Sequence, residues 1–538
     1  MQIYHAWVGA LALSALLLGC GGGIRSSSST STSTSTGTGS GGTTSAAWNV
    51  NSLAAWPTLA AQCISPRTGT DPYTGAVYSD RQGNLLSEQN WLASWTNDTY
   101  LWFQDVSFTD PSSYSTAINY FNTLKSSLTT ASGKAKDRFH FTLATNVWEA
   151  DSVAGVNVGY GATVSAISQV PPRQYVVAYT EPGSPATALI PPLARGAQIL
   201  AIDGVDLVND STTAGVATLN AGLFPATVGE AHLFTVQDLG ASTTRTVALI
   251  SANITSAPVQ NISTLASGRV SYFLFNDHLA TAEPALYNAI ALLKSSGVTD
   301  VVIDMRYNGG GYLDIAAELA YMVAGPVQTA SKTFDLPVFN SKHPTTDPVT
   351  GSTIAAVPFH SSTVGFTASP AAGTALPHLD LTRAFILTGS GTCSASEAVI
   401  NGLTGIGVQV IQIGSTTCGK PYGFYPADNC GTTYFSIQFQ GSNQLGFGSY
   451  SDGFVPQNGT TTGIAAAAIL PGCAVADDYT HALGDPTEAR LAAALQYRTN
   501  ATCPAPSAQA RGPNTSLDAT EGQVVKSIFR SNQFLRRP

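Results

Sequence analysis

The spacing of apolar positions divides this chain into stretches of different period. From about 48 to 150 they recur at helical spacing. Trp91, Leu92, Trp95 and Trp102 in WLASWTNDTYLWF fall near one helical face, and Ile118, Phe121 and Leu124 mark a second amphipathic stretch. Aromatic stripes at this spacing are usually core, so 48–150 reads as a helical packing subdomain. From 151 to 253 the pattern shortens to VNVGYGATVSAI, QYVVAYT, AQILAIDGVDLV, HLFTVQDL and TRTVALI, separated by Gly and Pro, which predicts a small β-module. From 254 to 505 strand and helix alternate. Leu286, Ala289, Ile290 and Leu293 have helical spacing, VTDVVIDM is a buried strand, NGGG a turn and YLDIAAELAYMV a helix; RAFILTG, SGTCSAS, SEAVINGL and VQVIQIG repeat the scheme. The expected core is therefore α/β, a mixed sheet covered by helices, with the β-module inserted before it.

The two ends read differently. Residues 1–20 hold an apolar run from Trp7 to Leu18 that closes on Leu17-Leu18-Gly19-Cys20 and resembles a bacterial lipobox. On that reading Cys20 is lipidated and the protein is anchored to a membrane of the cell envelope. The run falls short of the roughly 20 residues a membrane helix needs. Its n-region carries only His5, without Lys or Arg, which keeps a signal peptide cleaved elsewhere as the alternative. Residues 21–47, rich in Gly, Ser and Thr, form a tether. Beyond 505 a Pro/Ser/Ala-rich linker leads to EGQVVKSIFRSNQFLRR, expected as a short amphipathic helix within the tail 506–538.

Composition narrows the function. With 538 residues and 43% hydrophobic content the chain can fill more than one core. Only 11% of residues are charged, the net charge is −9 and no basic run dominates, which argues against a nucleic-acid partner. Besides Cys20 there are six cysteines, Cys63, Cys393, Cys418, Cys430, Cys473 and Cys503, an even number that suggests disulfides in an exported protein while leaving their pairing open. CxxC, HExxH and paired Cys/His spacings are missing, so neither a metal nor another cofactor is expected.

The chemistry concentrates in two turns and a loop. Ser394 lies between a buried strand and a helix, where its hydroxyl would meet N–H groups of the helix start. A serine needs a base, and no His follows in a position that suggests a Ser-His pair. Lys420 lies 420 − 394 = 26 residues on, after one helix and one strand, among the uncharged Cys418, Gly419, Pro421 and Tyr422, a setting that favours a neutral amine. The Ala395 N–H and the glycine turn Gly309–Gly311 are candidate oxyanion donors. Glu397, one helical turn after Ser394, either orients substrate or water or favours the helix start. Ser396 competes as nucleophile, and Asp304 with Arg306 reads as a structural pair.

Three segments, VVIDMRYNGGG at 301–311, SGTCSASEAVINGL at 390–403 and IGSTTCGKPYGF at 413–424, together resemble the S41 peptidases, also called carboxyl-terminal processing or tail-specific proteases. The resemblance implies a serine endopeptidase with Ser394 as nucleophile, Lys420 as base and Gly310 as the second oxyanion donor, with Gly311 still open. Its substrates would be proteins or peptides with exposed C-terminal tails. Phe424 stands where many members carry a Gln that orients the lysine. Upstream, EPGSPA and LARGAQILAIDGVDL resemble a PDZ domain. That likeness places peptide-carboxylate binding near Val158, Gly159 and Tyr160. The competing expectation is a non-catalytic peptide- or ligand-binding envelope lipoprotein on the same fold.

Overall fold

The computed structural model describes residues 48–265, 269–505, 523–525 and 533–535. Cys20 and the tether 21–47 lie outside the described residues. The fold is mixed α/β. Its central sheet runs Val259–Leu265, Val270–Phe275, Asp300–Asp304, Arg383–Thr388, Gln409–Gly414 and Gly472–Ala474. The first two strands pair antiparallel and every later ladder is parallel.

Side chains alternate between the two faces of a strand, so the register decides what each face buries. One row, Tyr272, Val302, Phe385 and Ile411, is aligned across the sheet and packs with Leu491 and Ala494 of helix Ala489–Asn500. On the other face Phe273, Ile303 and Ile386 pack with Leu286 and Ile290 of helix Ala282–Ser295, Leu319 of Leu313–Thr329 and Val399 of Ala395–Gly405. Covering both faces explains why these strands read as unbroken apolar runs. Because the ladders are parallel, Asp304, Thr388 and Gly414 end on the same edge of the sheet. The turns that follow them are thereby gathered in one place.

Residues 162–250 together with Gln523–Val525 build a second sheet, ordered Arg245–Ile250, Ala231–Gln237, Gln198–Ile202, Gln174–Thr180, Ala162–Ser168 and Gln523–Val525, with its own core around Val177, Ile202, Phe234 and Val236. Val156–Gly159 stands apart, paired with Ala252–Thr255.

Two expectations change. Residues 48–150 hold one long helix, Leu85–Thr99, capped where Asn84 Oδ1 accepts the Ser87 N–H at 2.9 Å. Elsewhere they form short helical turns, loops and strand Phe141–Ala144, which pairs with Thr432–Phe435. Trp91, Trp95, Phe121 and Phe139 bury themselves with Tyr422, Phe424, Tyr434 and Phe435, so the aromatic cluster is shared with the core region. In the tail the described residues are strands where a helix was expected. The β-branched Val524 and Val525 suit a pleated backbone, and existing sheet edges satisfy the groups a helix would have satisfied internally.

Disulfides join Cys63 to Cys430, Cys393 to Cys418 and Cys473 to Cys503. Among the described residues no helix is long and apolar enough to cross a membrane.

Candidate active site

Ser394 is the residue before helix Ala395–Gly405 and takes φ 62°, ψ −115°, a conformation rare for a residue with a side chain. Such strain costs on the order of 1–3 kcal/mol and persists only where the surroundings over-determine it. Here they do. The Cys393 N–H donates to the Asn308 carbonyl at 3.0 Å, the Thr392 hydroxyl to the Met305 carbonyl at 2.8 Å, and the Ser394 N–H to Glu397 Oε2 at 3.0 Å. Ser394 is fully buried, and among the described residues its hydroxyl has no hydrogen-bond partner. The competing Ser396 hydroxyl donates to the Asn308 carbonyl at 3.2 Å.

Glu397 ties this turn to the loop carrying Lys420. Its carboxylate also accepts the Gly419 and Lys420 N–H groups, each at 2.8 Å, and the Thr417 hydroxyl. Burial pushes the carboxyl upward, and these hydrogen bonds pull against that. The Cys393–Cys418 disulfide joins the same two segments covalently, so Ser394 and Lys420 are held by a carboxylate and a disulfide side by side.

The Lys420 amine is fully buried, with the rings of Phe424 at 4.2 Å and Phe139 at 5.0 Å from Nζ. Burial drives its pKa well below the usual lysine range, opposed by the nearby Asp137 and Glu397. Phe424, where a Gln was awaited, thus supplies an aromatic face to the amine. Three neighbours escaped sequence reasoning: Phe139, Asp137, and Arg138, whose Nη2 donates to the Cys418 carbonyl at 2.6 Å. They lie some 280 positions before the lysine and carry no motif. A slender signal was the compact DRFHF stretch.

The glycine turn follows strand Asp300–Asp304 and enters strand Gly310–Tyr312. Asn308 organises it: its Oδ1 accepts the Gly310 N–H at 3.0 Å and meets His278 Nδ1 at 3.1 Å, while its Nδ2 donates to the Phe275 carbonyl. His278 donates its N–H to the Gly310 carbonyl at 3.0 Å and accepts the Tyr312 N–H at 2.9 Å. Extended backbone alternates, so the Gly311 N–H and carbonyl face the other side. A Cβ at Gly311 would meet the His278 carbonyl at 2.3 Å, which requires glycine there. Burial drives the His278 pKa down to about 3, so its imidazole is neutral.

Asp304 and Arg306 pair at 2.9 Å, and Arg306 also engages Asp477 and Glu488. Val158 and Gly159 lie in the strand paired with Asn253 and Ala252, and the carbonyl of buried Tyr160 accepts the Ala186 N–H.

These three turns lie at one edge of the mixed sheet. Residues 268–423 match the model of peptidase family S41. A carboxyl-terminal-processing protease of Picosynechococcus sp. (strain ATCC 27264 / PCC 7002 / PR-6) is 29% identical over 170 residues, which are 31% of this chain and only 39% of that protein's length. A solved structure from Bacteroides fragilis NCTC 9343, assigned as an S41 protease, is similar with a TM-score of 0.55 at 20% identity. The similarity covers 77% of this chain and 97% of that one, which marks a shared fold. A photosystem II D1 C-terminal processing protease gives a TM-score of 0.39 at 18% identity over 69% of this chain and 92% of that one.

Proposed function

We propose that this chain is a serine endopeptidase of the carboxyl-terminal processing type that works through an acyl-enzyme. Ser394 Oγ attacks the scissile carbonyl and its proton passes to the neutral Lys420 amine. The amine then protonates the leaving nitrogen, and water attacks the ester carbon to release the acyl product and regenerate the serine. The observation that carries this reading is a strained, buried serine tied through Glu397 to a buried lysine whose charge is disfavoured. A binding protein needs no such pair. The Ala395 N–H is one oxyanion donor. For the other, the family pattern favours Gly310, but its N–H already serves Asn308, so we assign the role to Gly311.

On this reading the region 156–250 is a PDZ-like module. A substrate tail adds to its edge strand Ala162–Ser168 and leaves its carboxylate near the turn from Val158 to Gly161, where Tyr160 starts the approach to that strand. Cys20 carries the lipid that holds the enzyme at the bacterial envelope, facing exported proteins.

Incubating the protein with an unstructured polypeptide and mapping cuts by mass spectrometry tests the activity. Ser394→Ala should lose at least about 10³-fold; retained cleavage in Ser394→Ala with loss in Ser396→Ala would reassign the nucleophile. For the anchor, Cys20→Ser should move the protein from the membrane to the soluble fraction, because acyl chains supply the membrane affinity. Unchanged partition would reject it.

A further inference from the structure

The backbone of Gln523–Val525 adds to the strand that otherwise ends the second sheet. It lies antiparallel to Ala162–Ser168, with Gln523 opposite Ala166, Val524 opposite Ser165 and Val525 opposite Val164. The side chains join in at one point, where Gln169 Nε2 donates to Gln523 Oε1 at 2.6 Å. Gln533–Leu535 lies parallel to Gly310–Tyr312, with Phe534 opposite Gly311. It is also close to helix Ala395–Gly405 and to strand Tyr422–Gly423, which follows Lys420. His278 already uses the Gly310 carbonyl and the Tyr312 N–H, so the groups facing Gln533–Leu535 are those of Gly311. One stretch of this chain therefore pairs with both backbone edges that the proposed function assigns to a substrate.

Three further observations agree. Ser394 and Lys420 are wholly inaccessible, so some element must withdraw before a substrate can reach them. Residues 522–538 contain Lys526, Arg530, Arg536 and Arg537 and no acidic residue, a charge of +4; the rest of the chain then carries −9 − 4 = −13. The segment is thus opposite in charge to the rest of the chain. Val525 and Gln533 are eight Cα–Cα steps apart, a span of at most about 26–29 Å, short enough for docking at one edge to promote docking at the other.

We propose that the segment holding Gln523–Val525 and Gln533–Leu535 is an in-cis ligand of the substrate track, an autoinhibitory strap that an incoming extended peptide displaces. The proposal rests on the peptidase reading for the meaning of the track. Its occupancy can be measured without turnover. An external ligand must compete with a tethered one whose effective concentration is on the order of millimolar. Freeing the strap should therefore tighten external binding with no new contact.

The test uses the full chain with Ser394→Ala and a fluorescein-labelled synthetic peptide of residues 521–538 as probe, read by fluorescence anisotropy. Adding Val524→Pro and Leu535→Pro, which remove backbone donors and disfavour pairing, should raise probe affinity at least tenfold. Equal affinity in the two backgrounds, or no binding in either, overturns the proposal. Hydrogen exchange supplies a second measurement that keeps the test valid if the double variant is less stable. Gly311 and those amides of 162–168 that face Gln523–Val525 should be protected in the parent and lose protection in the variant, while amides facing Gln174–Thr180 and those of the central strand Asp300–Asp304 stay protected in both. Unchanged exchange at Gly311 and at the amides facing Gln523–Val525 also overturns it. If the protein with Ser394 intact cleaves no peptide, with or without the two prolines, the peptidase reading fails and these binding results still decide the strap.

Discussion

At Lys420 burial competes with two carboxylates, and the direction of the result makes a measurable claim. Burial lowers the folded-state pKa well below 10.5, while Asp137 and Glu397 oppose it without reversing it. The unfolded chain therefore binds the extra proton throughout the window from that depressed value up to the free value. Stability rises with pH across the window, and below it the full cost of burying the amine is paid. Lys420→Met, similar in length but without charge, should melt at a higher temperature than wild type at pH 7, with the gap closing as pH approaches 10.5. Both Lys420→Met and Lys420→Arg should lose about 10²–10⁴-fold in peptide hydrolysis, since neither can accept the serine proton. In wild type the rate should climb with pH as the amine deprotonates. Thermal melts and hydrolysis rates from pH 6 to 10 check this; an active, folded Lys420→Arg would exclude the lysine base. Ser394, Lys420 and Glu397 were legible because each sits in a short motif beside a strand end. Phe139, Asp137 and Arg138 were not, because what brings them to the lysine is the burial of aromatic residues from opposite ends of the chain.

The elements around the site are fastened in two ways, and their fastenings should fail differently. Cys63–Cys430 closes a separation of 367 residues and pins the N-terminal region to the core, whereas Cys393–Cys418 closes 25 and brackets the serine and lysine. In the chain-entropy account the loss of a native disulfide costs about 2–5 kcal/mol, mostly through the unfolded state. Cys63→Ser/Cys430→Ser should show that loss in urea denaturation and keep its hydrolysis rate at temperatures where it is folded. Cys393→Ser/Cys418→Ser should instead lose at least about tenfold in rate while still folded, because small displacements of reacting groups are costly in catalysis. Equal rates in the two double variants would assign the second disulfide to stability alone. Sequence periodicity identified the strands and helices that meet here, since a sheet covered on both faces leaves unbroken apolar runs in 301–303 and 384–387. It could not pair the cysteines, which depends on tertiary approach. It also misread Gln523–Val525 and Gln533–Leu535, where amphipathic spacing fits a helix but the partners are strand edges supplied by residues more than 200 positions away.

Over the whole molecule, the module 156–250 is joined to the region of the central sheet through a buried ionic network. Arg195, in the LARGAQ segment, donates to Asp477 Oδ1 at 2.6 Å, to the Tyr307 hydroxyl at 2.6 Å and to the Ala178 carbonyl at 2.7 Å. Asp477 in turn holds Arg306 at 2.6 Å, and Arg306 reaches Glu488 and Asp304. Burial alone would raise the Asp477 carboxyl, but the cations Arg195 and Arg306 outweigh it and hold the group well below the usual carboxylate range. A depressed carboxylate contributes stability that is present above its unfolded pKa, about 3.9, and is lost as pH falls toward the folded value. Wild type should therefore lose stability progressively below about pH 4, and Asp477→Asn should lose less over that range, having forfeited the contribution already at neutral pH. Removing one partner of such a network leaves buried charge uncompensated, at a cost of about 3–5 kcal/mol, so Arg195→Met should be strongly destabilised at pH 7. The functional consequence follows from position. Arg306 stands two residues before Asn308, which anchors both the Cys393 N–H of the serine turn and the Gly310 N–H of the glycine turn. Arg195→Met, assayed where it remains folded, should then slow hydrolysis of short esters as well as long peptides. A proline at Ala166, on the edge proposed to bind substrate tails, should slow only the long ones. If Arg195→Met affected long peptides alone, the network would be a structural link with no part in setting the site.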